Sequence, residues 1–337
     1  MSIKSEYFRR TRRTVLMALA APLLFSAYSA PAAAATSFPS KPVVFVVPYA
    51  AGTVGDLWAR MLSPELAKEW GQPVIVENRA GGAALIGMNH VRKARPDGHT
   101  LLLGSLSTSM AGLTKANLDF DPQAELAPVY KYLSFKIVFA TNAPTYEKAK
   151  DLKQLAEFSR AQPNGIFAGD TGPGTAFNMT MGFVLKDLNV NYENVGFNSM
   201  SEISLATIRN DVQVMINTPS ALKGHFDDET LFPLATLSDQ RYPDMPEVPT
   251  VKELGYDGFV PEVWNGIFAP QGTPPDVLDK IADTIRKVSE RPGMKGRIES
   301  TFTGIIPPGG RAEFAQALKE DTGRWQAFLK EINFKPL

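Results

Sequence analysis

The sequence contains no cysteine, and histidine occurs only three times in its 337 residues. The absence of cysteine excludes disulfide bonds, thiolate metal sites and a cysteine nucleophile. It also excludes the lipid-modified cysteine that tethers some exported bacterial proteins to a membrane, so we expect no lipid anchor. His90, His99 and His225 lie far apart and have no partners at metal-ligand spacing, so we expect no metal site. No Gly-x-Ser-x-Gly elbow is present, and no catalytic residue or cofactor is predicted.

The sequence also lacks a large excess of charge and a hydrophobic run long enough to span a membrane. Residues 1–35 combine four arginines, an apolar run of eleven residues from Val15 to Phe25 and an alanine-rich end. These three parts predict an export signal. The segment Thr11-Arg12-Arg13-Thr14-Val15-Leu16 resembles a twin-arginine motif, so both general and twin-arginine export stay open. The rest of the chain has 30 basic and 34 acidic residues, a balance that indicates no nucleic-acid partner and no anionic lipid surface.

The stretch from Val43 to Asp56 has the pattern of a buried strand, a loop of small residues and the start of a helix. Val43 to Val47 is a continuous apolar, β-branched run, which is typical of a strand buried on both faces. Backbone N–H groups at the start of the following helix would point into the loop, where an anion is the natural ligand. The candidate binding residues of this stretch are Tyr49, Ala51, Gly52, Thr53, Val54 and Asp56.

The same pattern occurs a second time. A strand from Gly165 to Ala168 enters the glycine-rich turn 169–175, and a helix follows from Ala176. Strands that alternate with helices along the chain predict a parallel sheet, whose ligand sites lie at the carboxyl ends of the strands. Candidate residues in this turn and helix start are Gly172, Gly174, Thr175 and Asn178, and Ser105 and Ser107 follow another strand in a hydroxyl-rich loop.

Several ordered motifs carry a resemblance to a known family. Those of the first half are Phe38-Pro39-Ser40-Lys41-Pro42, Val47-Pro48-Tyr49-Ala50-Ala51-Gly52, Gly71-Gln72-Pro73-Val74, Val76-Glu77-Asn78-Arg79 and Pro96-Asp97-Gly98-His99-Thr100-Leu101. Those of the second half are Asp244-Met245-Pro246-Glu247-Val248-Pro249-Thr250, Gly266-Ile267-Phe268-Ala269-Pro270 and Gly272-Thr273-Pro274. In these residues the chain resembles the receptors of tripartite tricarboxylate transporters, the Bug family of periplasmic solute-binding proteins.

The resemblance implies an α/β, type II periplasmic-binding-protein fold, with two lobes joined by a hinge around a central ligand cleft. We expect residues 36–135 and 261–337 to form lobe 1 and residues 136–260 to form lobe 2. The implied ligand is a small organic carboxylate, held between the 48–56 and 169–178 loops. The implied setting is the periplasm, where a soluble monomer would deliver that ligand to membrane transporter subunits.

The chain departs from the family pattern at several candidate residues. Thr53 and Val54 stand where further glycines are usual, and Asn178 replaces a usual histidine. Phe197-Asn198-Ser199 replaces a Tyr-Lys-Gly-like stretch, and Phe197 and Asn198 complete the set of candidates. The lost histidine and lysine would have supplied positive charge. We therefore expect a mono- or dicarboxylate smaller or flatter than citrate, with an aromatic or apolar body among the candidates.

Three choices stay open from the sequence. Asp56 could contact the ligand or could only cap a helix. Tyr49, Phe197 and Trp264 could line the cleft or belong to the core. A ligand-sensing partner of a membrane signalling protein would use the same binding site as a transporter receptor, and a secreted α/β hydrolase is the enzyme alternative.

Overall fold

A computed structural model describes residues 38–173, 175–302, 304–331 and 333–336. The export signal predicted for residues 1–35 and the candidate residue Gly174 lie outside these described residues. The strands are β1 (Val43–Val47), β2 (Val74–Asn78), β3 (Thr100–Ser105), β4 (Leu126–Phe135), β5 (Val138–Asn142), β6 (Ile166–Asp170), β7 (Tyr192–Gly196), β8 (Val214–Asn217), β9 (Leu231–Thr236), β10 (Val263–Pro270) and β11 (Gly304–Ile305).

Longer helices alternate with these strands, and short helical turns follow β3, precede β4 and follow β5. The helices are α1 (Val54–Trp70), α2 (Leu85–Arg92), α3 (Leu106–Ser109), α4 (Ala111–Thr114), α5 (Pro122–Glu125), α6 (Ala143–Tyr146), α7 (Leu152–Arg160), α8 (Ala176–Asp187), α9 (Met200–Ile208), α10 (Pro219–Asp227), α11 (Pro275–Ser289), α12 (Pro292–Phe302) and α13 (Arg311–Glu331).

The strands form two sheets within one compact unit. The first sheet has six strands in the order β11-β4-β10-β3-β1-β2, and the second has five in the order β7-β6-β8-β5-β9. The chain passes from the first sheet to the second between Phe135 and Val138, and β10 returns it to the first sheet at Val263.

The predicted parallel sheet is only partly right, because both sheets are mixed. β1 pairs in parallel with β2 and β3, and β6 pairs in parallel with β7 and β8. The returning strand β10, however, lies between β3 and β4 and is antiparallel to both. In the second sheet β5 is antiparallel to β8 and β9. Two of these antiparallel strands, β5 and β10, carry the chain into a sheet, and β11 is antiparallel to β4 at the edge of the first sheet. The alternation of strands and helices along the sequence does not reveal their direction.

Helices cover both faces of each sheet. In the first sheet Phe45 packs in one core with Trp58 of α1 and Ile281 of α11, and on the other face Leu102 belongs to a core with Phe314 and Trp325 of α13. The faces of the second sheet are buried in the same way, one in a core with α7 and α8 and the other in a core with α9 and α10. This layered arrangement confirms the predicted α/β class. Within the described part of the chain, no helix is long and apolar enough to cross a membrane.

Candidate functional site

A cleft of about 850 Å³ is lined by residues from both sheets and from the helices that follow their strands. This volume is within the range of roughly 300–1,000 Å³ that small-molecule sites occupy. The first sheet contributes residues from the β1–α1 loop, from β3, β4 and β10, and from α12. The second sheet contributes residues from the starts of α8, α9 and α10. The cleft is therefore shared between the two sheets.

Four helices of eight residues or more begin at this cleft. Their N-cap residues Thr53 (α1), Thr175 (α8), Ser199 (α9) and Thr218 (α10) all line it. The first residues of a helix have backbone N–H groups without intrahelical partners, and the helix dipole adds partial positive charge there. Four such ends around one space make it favourable for an anion.

The lining carries no formal charge. None of the described residues that line the cleft is Lys, Arg, His, Asp or Glu. Its polar groups are hydroxyls and amides, and the rest of its surface is aliphatic or aromatic. An anion bound there would be held by backbone N–H groups and neutral donors rather than by a salt bridge.

The buried carboxylate of Asp56 holds the backbone of the β1–α1 loop in place. Its side chain is only 2% exposed. The carboxylate accepts hydrogen bonds from the backbone N–H of Gly52 at 2.9 Å, from Nε of Arg60 at 3.0 Å and from the amide of Asn78 at 2.9 Å. Burial would raise the pKa of Asp56, but these hydrogen bonds and the charge of Arg60 hold it below its ordinary value. The same Asn78 amide also donates to the carbonyl oxygen of Tyr49, so the loop is fixed at both ends.

Of the two alternatives for Asp56, the structure excludes the N-cap position, and contact with the ligand stays a prediction. The N-cap position of α1 belongs to Thr53, whose side chain donates to the carbonyl oxygen of Ala50 at 2.9 Å and makes no cap hydrogen bond. Asp56 lies in the first turn of the helix and reaches back to Gly52, and it is not among the residues that line the cleft. Gly52 has a φ of 84°, which is the left-handed backbone that favours glycine.

The second loop has an equivalent arrangement around Asp170. This residue is 3% exposed and ends β6. Its carboxylate accepts from the backbone N–H of Gly172 at 2.6 Å and from the amide of Asn178 at 2.6 Å. Thr175 caps α8, because its Oγ1 accepts from the backbone N–H of Asn178 at 3.2 Å. Its hydroxyl also donates to the carbonyl oxygen of Gly172 at 2.9 Å. Each loop thus has a buried acid that binds one of its glycine N–H groups.

Hydroxyl groups form a cluster at the end of β3. The hydroxyl of Tyr49 lies 3.0 Å from Oγ of Ser105 and 3.3 Å from Oγ1 of Thr108. Ser105 and Thr108 form a capping box at the start of α3. Tyr49 is partly buried, packs against the cores on both faces of the first sheet and also lines the cleft.

The predicted site residues fall into two groups. Seven of them line the cleft: Tyr49, Gly52, Thr53, Val54, Ser105, Ser107 and Thr175. Six others do not belong to the lining: Ala51, Asp56, Gly172, Asn178, Phe197 and Asn198. Ala51 and Asn198 are exposed, and Phe197 packs partly buried against the core that contains α9 and α10. For both groups a direct ligand contact stays a prediction.

The sequence did not predict the lining residues on β4 and β10, the strands by which the chain leaves the first sheet and returns to it. Tyr132 and Phe135 come from β4, and Val263 and Asn265 come from β10. Trp264, whose place was an open choice, borders the cleft but belongs mainly to the core with Phe314, since only 1% of its surface is exposed. Ser199 and Thr218 were missed as well, although each is a hydroxyl residue just before a helix, which is a readable N-cap signal.

The two-sheet architecture with a shared cleft defines a two-lobed α/β solute-binding protein. Residues 58–334 match the model of the tripartite tricarboxylate transporter family receptor. The chain belongs to this family, as its sequence motifs indicated.

Individual relatives agree with this assignment. BugT of Bordetella pertussis is 32% identical over 331 residues, which cover 96% of this chain and 98% of that protein. The periplasmic binding protein BugD shares the fold, with a TM-score of 0.72 at 24% identity over 89% of this chain and all of that one. MatC of Rhodopseudomonas palustris, solved with bound malate, has a TM-score of 0.71 at 25% identity and covers 86% of this chain and 99% of its own. The two-lobed fold of periplasmic binding proteins is thereby confirmed.

Proposed function

We propose that this protein captures a small organic carboxylate in the cleft between its lobes and delivers it to the membrane subunits of a tripartite tricarboxylate-type transporter. The four helix starts around one uncharged cleft carry this proposal, because they favour an anion and leave no charged side chain to repel or neutralise it. MatC binds malate, and its likeness to this chain supports a carboxylate as the ligand.

The capture step rests on the two loops. In this proposal residues 36–135 and 261–337 form one lobe, residues 136–260 form the other, and the ligand bridges the 48–56 and 169–178 loops. Binding would shift the population from an open to a closed arrangement of the lobes, since only the closed arrangement lets both loops contact one ligand. Gly52, Thr53 and Thr175 are the contacts we expect to matter most, because they lie at helix starts on opposite sides of the cleft.

The remaining roles follow from the family. A transporter receptor acts in the periplasm after export, binds its ligand as a soluble monomer without a cofactor, and catalyses no reaction. The likeness to the periplasmic binding protein BugD supports this setting. Handing the ligand to a transporter requires that the closed form be recognised by membrane subunits.

Thermal unfolding of the protein without residues 1–35 tests this function. The panel comprises mono- and dicarboxylates, each in aliphatic and aromatic forms. A carboxylate at a hundredfold excess over its Kd should raise the free energy of unfolding by about 2.7 kcal/mol. If every carboxylate left the unfolding midpoint unchanged while an ester substrate was hydrolysed, the receptor function would be wrong.

A pair of cap variants separates binding from stability. Thr175→Ala removes a hydroxyl from the cleft and also the cap of α8. Asp151→Ala is the matched control, since Asp151 caps α7 by accepting from the N–H of Gln154 at 2.8 Å and does not belong to the cleft lining. Each variant should lose about 1 kcal/mol of stability, but only Thr175→Ala should weaken carboxylate binding. Equal affinities in both variants would remove Thr175 from the site.

A further inference from the structure

The lining of the cleft includes a set of large apolar residues, which we call the apolar wall. It consists of Phe135, Phe177, Met200, Val263, Trp264 and Phe302. Phe135 ends the strand that leaves the first sheet, and Val263 and Trp264 begin the strand that returns to it. Phe177 and Met200 extend the wall into the second sheet's helices α8 and α9. Both sheets therefore contribute apolar surface to one ligand space.

The polar and apolar parts of the lining come from partly different elements. Hydroxyls and helix N-termini come from the loops that follow β1, β3, β6, β7 and β8. The apolar wall comes mainly from the strands that pass between the sheets and from the end of α12. A second carboxylate that faced this wall would lose its hydration without gaining a cationic partner, which is costly. A ligand with one carboxylate and an apolar body therefore fits this lining better than a dicarboxylate does.

Tyr132 adds one neutral polar group beside the start of α1. Its ring stacks on Trp58 with the centroids 4.0 Å apart, which fixes its position. A Cβ placed on Gly55, in the first turn of α1, would lie 3.4 Å from the Tyr132 hydroxyl. That hydroxyl is buried and makes no hydrogen bond of ordinary geometry within the described residues. Burial raises the pKa of Tyr132, the neighbouring Tyr49 raises it further, and a hydrogen bond with the side chain of Asn265 acts in the opposite direction. The hydroxyl is therefore neutral and can donate or accept a hydrogen bond.

We propose that the ligand is a monocarboxylate with an apolar, ring-sized body, which the cleft selects over aliphatic dicarboxylates. This inference rests on the proposed function, because it concerns the same cleft. The carboxylate would lie at the helix starts, and the ring would pack on the partly exposed side chains of Phe135, Phe177 and Met200. A neutral oxygen substituent on the ring would accept or donate a hydrogen bond at Tyr132.

Isothermal titration of the protein without residues 1–35 tests the ligand class directly. The probes are benzoate, 4-hydroxybenzoate and cyclohexanecarboxylate on one side, and succinate, malate and adipate on the other. At least one ring monocarboxylate should bind tenfold or more tightly than every dicarboxylate. If only the dicarboxylates bind, this inference is overturned and the proposed function stands. If no carboxylate of either group binds, both fail.

A charge placed in the apolar wall provides the second test. Met200→Lys puts an ammonium group at the start of α9, where Met200 is half-buried in the lining. Leu205→Lys is the matched control on the same helix, since Leu205 is 52% exposed and lies outside the lining. Met200→Lys should weaken the binding of ring monocarboxylates at least tenfold relative to Leu205→Lys. It should also reduce or reverse the difference in affinity between ring monocarboxylates and dicarboxylates. If a folded Met200→Lys protein kept the same selectivity for ring monocarboxylates over dicarboxylates, the ligand's ring would not pack on the apolar wall.

Discussion

Replacing Asp321 by asparagine should stabilise the protein above pH 6 and leave its stability unchanged near pH 4. Asp321 lies on α13, behind the cleft, where its carboxyl hydrogen-bonds the side chain of Trp264. Burial and the neighbouring charge of Glu262 raise its pKa from 3.8 to about 6. Lys131, Arg324 and the hydrogen bond of Trp264 act in the opposite direction but do not cancel this rise.

The size and sign of the effect follow from the two pKa values. A carboxyl group whose pKa is higher in the folded state contributes stability that is fully present below its unfolded pKa and is lost as the pH rises through its folded pKa. The loss therefore falls between about pH 3.8 and pH 6. Each pKa unit corresponds to about 1.4 kcal/mol, so a rise of roughly two units gives a loss of up to about 3 kcal/mol. Asparagine keeps the shape without the charge, so the variant avoids this loss.

Denaturant unfolding of both proteins at half-unit steps from pH 4 to pH 8 measures the difference. Asp239→Asn is the control, because Asp239 is an exposed aspartate. This substitution should leave the free energy of unfolding unchanged at every pH. A gain for Asp321→Asn that grows from nearly zero at pH 4 to a plateau above pH 7 supports the reasoning. A gain that is the same at every pH, or a loss at pH 8, would refute it.

Two further predictions concern the β1–α1 loop. Gly87→Ala should destabilise the protein by about 1–3 kcal/mol in thermal unfolding. The added Cβ would lie 2.7 Å from Cβ and 2.9 Å from Cα of Pro48 in that loop. Gly293→Ala serves as the control and should not change the stability, because a Cβ there meets no atom within 4 Å. Asp56→Asn should lose about 1.5–3 kcal/mol at pH 7 through its weakened bonds to Arg60 and the loop. Because the pKa of Asp56 is lowered in the fold, this stability is fully present above about pH 3.8 and should be lost as the pH falls below that value through the lower pKa of the folded state. A deficit of the variant that does not shrink as the pH is lowered below 3.8 would contradict this account.

The local parts of the site could be predicted from the sequence because their signals are local. A β-branched run, small loop residues and a hydroxyl or acidic residue at a helix start placed Thr53 and Thr175 on loops that end at helix starts, where they occupy the N-cap positions of α1 and α8. The N-cap position offered for Asp56 belongs to Thr53 instead. Tyr132 and Asn265 could not be found in this way. Their place depends on the pairing of β4 with β10, where Asn265 lies opposite Leu133, and these strands are more than a hundred residues apart in the chain. Candidates carried over from the family pattern, such as Asn198, fared less well because an exposed position after a strand does not fix where a side chain lies.

The buried acids of the two loops have a consequence for the entropy of binding. Asp56 and Asp170 hold the glycine N–H groups of their loops before any ligand arrives. The cost of ordering these loops is therefore met during folding rather than during association, so less of the interaction energy is lost on binding. It also means that the loop backbone does not depend on the side chain of Val54, which lines the cleft. Changes at Val54 can alter what is bound while the loop keeps its shape.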